Sequence, residues 1–354
     1  MIILLYIIIL LLSFYLIAQV SNRFFIPSLD SISERLKIRS DVAGATLMAI
    51  GSSAPELFIA LIAVFHPDGH AEIGLGTIVG SALFNVLAII GAVALVRKAF
   101  ISWQPVLRDT IFYLISIAAL AYVFSSGKIT LWESIILISI YVIYIFAVIY
   151  WGRFFKYRDD AVEIEKDEEL KSIKRYHLFR VLIKPLDLIL NITFLKSKHY
   201  LLNFVISIIW IAFLSWVLVH SAIELSEMLQ IPESIIALTV LAIGTSVPDL
   251  ISSIIVAKKG RGGMAISNAL GSNIFDVLLG LGLPWLIAII IFNRSIDVNS
   301  QSITLSVILL FGSVIITFAL MLLRRWVIRK PTGIILLALY VAYLVWEILG
   351  VLTG

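Results

Sequence analysis

Two short stretches of this sequence set hydroxyls, a proline and a carboxylate side by side: Gly51-Ser52-Ser53-Ala54-Pro55-Glu56 and Gly244-Thr245-Ser246-Val247-Pro248-Asp249. Proline has no N–H to give the carbonyl four residues back. In a helix, Pro55 therefore frees the Gly51 carbonyl and Pro248 frees that of Gly244. Carboxylates, the hydroxyls of Ser52, Ser53, Thr245 and Ser246, and two freed carbonyls make an all-oxygen set with no sulfur or histidine nearby. Such a set suits hard cations such as Ca²⁺ and Na⁺ and argues against Zn²⁺ or Cu⁺. A second pair of stretches, Gly80-Ser81-Ala82-Leu83-Phe84-Asn85 and Gly271-Ser272-Asn273-Ile274-Phe275-Asp276, puts Ser81 with Asn85, and Ser272 with Asp276, on one helical face. These four side chains close the expected metal site from neighbouring helices. Glu56, Asp249 and Asp276 together could compensate one divalent ion or several monovalent ions.

The elements that must hold these residues are membrane helices. Of 354 residues 61% are apolar and 14% charged, against roughly a half and a quarter in soluble domains, and the mean hydropathy is +1.06. A water-soluble globule, a disordered chain and a fibre are all excluded. Breaking the sequence at its charged and Pro/Gly/Asn-rich points gives ten apolar spans. The first, Met1 to Val20, is followed rather than preceded by a basic residue, Arg23, so it reads as an uncleaved helix with its N-terminus outside. That choice puts all 27 Lys and Arg on the cytoplasmic side except Lys128 and Arg294, a strong positive-inside bias. The net charge of +4 thus belongs to membrane flanks and not to a nucleic-acid surface. Absence of cysteine removes disulfides and thiolate chemistry.

The expected fold class is therefore an all-α membrane protein with ten transmembrane helices as two inverted five-helix repeats, both termini outside. The expected divisions are residues 1–151, a cytoplasmic loop 152–200, and residues 201–354. An odd number of spans on each side of the loop inverts one half against the other. Internal similarity agrees: Leu36-Lys37-Ile38 through Thr46 to Gly51 lines up with Leu229-Gln230-Ile231 through Thr239 to Gly244, and both pairs of oxygen-bearing stretches then align. Inverted repeats with Pro-interrupted helices at matching positions mark secondary transporters. In such a frame Glu56 and Asp249 meet near the midplane. Each carboxylate costs about 3 kcal/mol there even on insertion scales, and the two repel; a cation cancels both penalties.

At these residues the chain resembles the cation/Ca²⁺ exchanger superfamily, and specifically its Na⁺/Ca²⁺ exchanger branch, in which two inverted repeats carry this pattern. Ala54-Pro55-Glu56 and Val247-Pro248-Asp249 look like that branch, whereas H⁺/Ca²⁺ exchangers usually show a Gly-Asn-x-x-Glu form. The resemblance covers both halves. It implies alternating access by sliding of the first and sixth helices, and ion sites shared by Ser52, Ser53, Glu56, Ser81, Asn85, Thr245, Ser246, Asp249, Ser272 and Asp276. Asp249 departs from the Glu of many K⁺-independent exchangers, and the stretch from Gly244 to Trp285 is similar to K⁺-dependent ones. The resemblance thus implies Ca²⁺ and Na⁺ as transported ions, leaves K⁺ co-transport open, and calls for no cofactor. Beyond the ions and the lipid bilayer, no obligate protein partner is evident. A prokaryotic owner would place the protein in its inner membrane.

Other features carry less. The acidic run Asp159 to Glu169 reads as a solvated segment, being too short for a Ca²⁺ sensor domain and without EF-hand spacing. Arg175 to Lys198 mixes cations with apolar residues around Pro185, as an amphipathic helix on the inner leaflet does. His66-Pro67-Asp68-Gly69-His70 reads as a turn before a metal site, and Gly76-x-x-x-Gly80 as the seam by which the third span approaches the second. A channel would repeat its filter about an axis along the membrane normal. An intramembrane aspartyl protease would set its acids in Gly-x-Gly-Asp, which is not their setting here. Within transporters the alternative is H⁺/Ca²⁺ exchange, since protons compete for the same carboxylates.

Overall fold

The structure, a computed structural model, describes residues 2–36, 49–66, 70–125, 127–154, 186–195, 197–258, 260, 262–293, 295–297 and 301–353. Among the described residues nine helices are long and apolar enough to cross a membrane: α1 (Ile2–Arg35), α4 (Ala71–Val96), α5 (Trp103–Ser125), α6 (Leu131–Phe154), α8 (Tyr200–Leu229), α9 (Glu233–Lys258), α10 (Gly262–Phe292), α11 (Gln301–Leu323) and α12 (Lys330–Thr353). Where the second span is expected, the described residues form two short helices, α2 (Ala49–Ser52) and α3 (Ala54–Phe65), neither long enough to cross by itself. Its approach, residues 37–48, lies outside the described residues, as do the first repeat's counterpart of the stretch before Gly244 and the acidic run.

Helix α4 is the most enclosed, with 89% of its most apolar stretch buried, against 17% for α1. Exposed Leu11, Trp132, Ile143, Ile209, Ile308 and Val341 face outward from α1, α6, α8, α11 and α12, as lipid-facing surfaces do. The chain thus puts α3, α4, α9 and α10 at the centre. In lipid, burial of apolar area does not drive helices together; close packing of small residues does. A Cβ on Gly80 would stand 2.3 Å from the Leu238 carbonyl oxygen and 2.7 Å from Ala242 Cβ, and one on Gly76 2.8 Å from Ala237 Cβ. The Gly76-x-x-x-Gly80 seam therefore faces α9 and not the second span as expected. It is Gly74 that approaches α3, at 2.6 Å from Ala60 Cα. Residues two apart are turned by about 200° on a helix, so α4 shows glycine to both neighbours.

Three further features differ from the sequence reading. The first helix does not end at Arg23: a π turn over Ser21–Phe25 carries it on through Ile26–Arg35, with Pro27 directly after that turn. Two-residue antiparallel ladders join loops that the all-helical reading left unpaired, β1 (Ala99–Phe100) with β4 (Val327–Ile328) and β2 (Lys128–Ile129) with β3 (Ile296–Asp297). Segments this short carry no alternation to read. Third, aromatic packing repeats across the halves. Tyr141 meets Phe275 edge-on at 5.7 Å and Tyr340 meets Phe84 at 5.3 Å, while Tyr141–Tyr144 and Tyr340–Tyr343 both show 6.2 Å and 42°.

The end of the central loop forms a short helix, α7 (186–193), within the expected amphipathic segment. Its Leu190 and the following Phe194 are buried, while Leu188, Ile189 and Ile192 are exposed. Phe194 stacks on Phe24 at 3.8 Å, and Arg23 bonds Asp187 and Asn191 at 2.9 Å each. An exposed ion pair is worth only about 0.2–1 kcal/mol, whereas truncating a buried aromatic costs about 3 kcal/mol. Phe194→Ala is therefore expected to lower the thermal midpoint of the purified protein clearly more than Arg23→Ala. Equal shifts in differential scanning fluorimetry would contradict this.

Candidate functional site

The two Pro-acid motifs lie at the heart of the fold, and they are built differently. In the first, the chain leaves helical geometry at Ser53 (φ −96°, ψ 8°), and α3 restarts with Pro55 in its first turn. In the second, Pro248 sits inside an unbroken helix that follows a π turn, Ala237–Leu241. Asn85 and Asp276, equivalent in the two aligned stretches, lie at the start of further π turns, Phe84–Ile89 and Asp276–Gly280, a feature frequent at functional sites.

These turns gather the expected residues into one enclosed cluster. Glu56, Asp249 and Asp276 are 2%, 7% and 1% exposed, and Ser53, Ser81, Asn85, Thr245, Ser246 and Ser272 are likewise buried; Ser52 is half-buried. Contacts run across the repeats. Ser52 Oγ is 3.1 Å from Ser272 Oγ, and Ser81 Oγ is 2.7 Å from Ser246 Oγ. Thr245 and Ser81 face Glu56, Ser52 faces Asp249, and Ser53 faces Asp276. The Thr245 hydroxyl also donates to the Leu241 carbonyl at 3.1 Å. The three carboxyl groups stand close enough to interact electrostatically.

Several of these oxygens find no hydrogen-bond partner among the described residues: Ser53 Oγ, Glu56 Oε2, Asn85 Oδ1, and both carboxyl oxygens of Asp276. A buried carboxylate needs a counter-charge or several hydrogen bonds. Among the described residues the buried basic side chain is Arg108, which Asp109 holds at 2.7 Å on Nε and Nη2. No basic side chain among the described residues pairs with Glu56 or Asp276, so the cluster is a buried acidic centre. Among the described residues no three His, Asp or Glu side chains converge closely enough to hold an ion alone, so an ion held here would need hydroxyl or amide oxygens as well.

For Gly51 and Gly244 the structure shows packing. A Cβ on Gly51 would meet Leu29 at 3.1 Å, and one on Gly244 the Phe14 ring at 2.2 Å. Both glycines therefore lie against α1, Gly244 beside its first half and Gly51 beside its last turns. His66 and His70 touch edge-on at 4.5 Å, and His70 Nδ1 pairs with Glu233 at 2.8 Å, bridging to the start of α9; residues 67–69 between them are outside the described set.

Sequence reasoning missed Asn273, Tyr113 and Tyr141. Asn273 is fully buried and bonds Asn85 at 2.8 Å. Tyr113 accepts from Asn273 at 3.0 Å, and both tyrosines lie near Asp276. Asn273 had a signal, being the one polar residue that the second Gly-Ser stretch adds where the first has Ala82. The tyrosines come from α5 and α6, whose periodicity gives no hint of what they face.

Comparison with known proteins matches this arrangement. The family model of the sodium/calcium exchanger protein matches residues 5–150 and 199–349. Human sodium/potassium/calcium exchanger 5 is 32% identical, with 96% of this chain and 81% of the relative covered; human sodium/potassium/calcium exchanger 4 is 29% identical, with 95% and 79% covered. Solved structures of the sodium-calcium exchanger NCX_Mj share the fold. The one soaked with zero Na⁺ and Ca²⁺ has a TM-score of 0.58 at 21% identity, covering 96% of this chain and 98% of that one, and the one soaked with 2.5 mM Na⁺ and 1 mM Sr²⁺ has 0.59 at 24%, with the same coverage. The chain belongs to the sodium/calcium exchanger family: it is a multi-pass integral membrane transporter that exchanges Na⁺ for Ca²⁺, and not an enzyme.

Proposed function

We propose that Glu56 and Asp249 clamp either Ca²⁺ or Na⁺ at the centre of the fold, with Ser52, Ser53, Ser81, Asn85, Thr245, Ser246, Ser272 and Asp276 completing the shells. The freed Gly51 and Gly244 carbonyls belong to the same proposal. The observation that carries it is the buried acidic centre, in which Glu56 Oε2 and both Asp276 carboxyl oxygens lack a donor among the described residues. Ca²⁺ takes six to eight oxygens, and the hydroxyls of both halves that face these acids supply them from neighbouring helices. Site occupancy by positive charge then removes the repulsion among the three acids. The empty site is correspondingly costly, which favours exchange of one ion for another over leak.

The chain crosses the membrane ten times in this proposal, as inverted repeats 1–151 and 201–354 joined by the cytoplasmic loop 152–200, with both termini outside. Loop pairing supports it. The loops holding Arg97 and Arg325, assigned to the cytoplasm, meet through β1 and β4, and Arg97 bonds the Lys258 carbonyl at 2.9 Å in a third such loop. Lys128 and Ile296, in loops assigned outside, belong to the other ladder. Access alternates as α1 and α8 slide against the rest; both lie at the rim, and α1 crosses the motif glycines. Because the chain has no cysteine, single cysteines report sides directly. Cysteines replacing Lys128 or Ser295 are expected to react with an impermeant maleimide from outside, and those replacing Lys98 or Arg325 only after permeabilisation. The reverse pattern, or both pairs labelling from one side, would overturn the topology.

Potassium is carried along with Ca²⁺ in this reading, at Asp276. The relatives named for sodium, potassium and calcium support it, as does a third acid beyond the two that clamp Ca²⁺. The family match favours Na⁺ over the proton as the driving ion. Ca²⁺ uptake into Na⁺-loaded proteoliposomes is expected to need external K⁺ and to carry ⁸⁶Rb⁺ with it. Full uptake without K⁺ or Rb⁺ would overturn co-transport while leaving Na⁺/Ca²⁺ exchange standing.

A further inference from the structure

Asn85 differs from the other proposed ligands in a way that matters at a cation site. Its repeat counterpart, Asp276, offers an oxygen whichever way the carboxyl group turns. An amide offers one oxygen and one NH₂, and a flipped Asn85 would present hydrogens to the ion. Something has to decide which end faces inward.

We propose that Asn273 is the positioning residue that fixes the Asn85 amide with its oxygen toward the ion; this rests on the reading of Asn85 as a ligand. The polarity of the network runs in one direction. The Ala82 carbonyl can only accept, so the Asn273 atom 3.0 Å from it must be the NH₂ nitrogen, which also donates to the Tyr113 hydroxyl at 3.0 Å. With Nδ2 held there, Asn273 Oδ1 is the atom turned to Asn85. Asn85 must then donate, and it does so through Nδ2 at 2.8 Å. That leaves Asn85 Oδ1 as the free end, one of the oxygens without a protein donor, together with Ser53 Oγ, Glu56 Oε2 and the Asp276 carboxyl. Asn273 is 0% exposed, so water does not compete for these bonds, and α10 packs directly on the turn of α4 that carries Asn85.

The asymmetry of the repeats has the same logic. Ala82 and Asn85 in one half correspond to Asn273 and Asp276 in the other. The half with the self-sufficient carboxylate lends a pin to the half with the amide, and receives none, because it needs none. Ala82 contributes only its backbone carbonyl, which anchors the polarity of the whole chain.

The test is a double-mutant cycle on the full protein. Its readout is the Ca²⁺ concentration giving half of the Ca²⁺-induced rise in thermal midpoint, which also reports binding in variants that do not transport. Asn273→Leu is expected to weaken Ca²⁺ binding about tenfold, with Asn273→Ala as the smaller replacement should leucine fail to fit. In an Asn85→Asp background, where either orientation presents an oxygen, the same change is expected to weaken binding less than about twofold. In transport, Asn273→Leu alone should raise the Ca²⁺ KM more than it lowers the maximal rate. An equal loss in both backgrounds would overturn the proposal, because Asn273 would then act by packing and not through Asn85. Native Ca²⁺ binding by Asn85→Ala would identify a different failure, that of Asn85 as a ligand, and the positioning role would fall with it.

Discussion

Glu56→Gln and Asp249→Asn, each made alone, are expected to abolish Na⁺-driven Ca²⁺ uptake, by at least about a hundredfold, while the protein still folds and purifies. The magnitude follows from removing one charged partner of a buried ion, about 3–5 kcal/mol, where each 1.4 kcal/mol is about tenfold. The sign on stability is opposite. In the ion-free protein these carboxylates are buried at 2% and 7% exposure beside other acids, so neutralising either relieves repulsion and desolvation. Ion-free variants should therefore melt at or above the native temperature, and the Ca²⁺-induced rise in midpoint should vanish. Loss of transport with a collapsed midpoint would mean that the acids serve the fold and not the ion. Retained Ca²⁺ transport in both single variants would remove them from the site.

The second large effect is steric, and it distinguishes equivalent positions. Gly80 and Gly271 occupy the same place in the two repeats, yet their surroundings differ. A Cβ on Gly80 falls 2.3 Å from the Leu238 carbonyl oxygen, and backbone cannot swing aside; one on Gly271 meets only the Tyr144 hydroxyl, at 3.7 Å. Overpacking costs about 1–3 kcal/mol where side chains can adjust, and here α4 and α9 must move apart as whole helices. Gly80→Ala is expected to lower the thermal midpoint strongly and to suppress transport, because Ser81 and Ser246 would lose their 2.7 Å contact. Gly271→Ala is expected to be near neutral in both. Similar effects from the two substitutions, measured side by side, would contradict the packing described for the α4–α9 crossing.

The repeats were legible because they are written in residue types that a lipid-buried helix otherwise avoids. Glu56, Asp249 and Asp276, with their serines and prolines, stand out against an apolar background, and the structure gathers all of them. Helix partners were less legible. The Gly76–Gly80 seam announced a close approach without naming its partner, and it meets α9 instead of the second span, because pattern within one helix fixes a face but not the helix opposite. The π turn at Phe84–Ile89 adds a residue to a turn without any Gly or Pro to mark it, and the one at Asp276–Gly280 has a glycine only at its last position. The continuation of α1 beyond Arg23 hid behind a charge that normally ends a span; Asp187 and Asn191 accept that charge from far along the sequence. Asn273 was visible only as a break in the repeat, and its meaning depends on the Ala82 carbonyl, a group that sequence does not display.

The most direct test of the central claim is the ion that drives transport. Purified protein in Na⁺-loaded vesicles, diluted into Na⁺-free medium with ⁴⁵Ca²⁺ and K⁺, is expected to accumulate Ca²⁺ only while the outward Na⁺ gradient lasts, and Glu56→Gln in parallel vesicles is expected to accumulate none. Ca²⁺ uptake driven by a proton gradient in the complete absence of Na⁺, and unaffected by adding Na⁺, would contradict the account, since the same carboxylates would then be exchanging Ca²⁺ for protons.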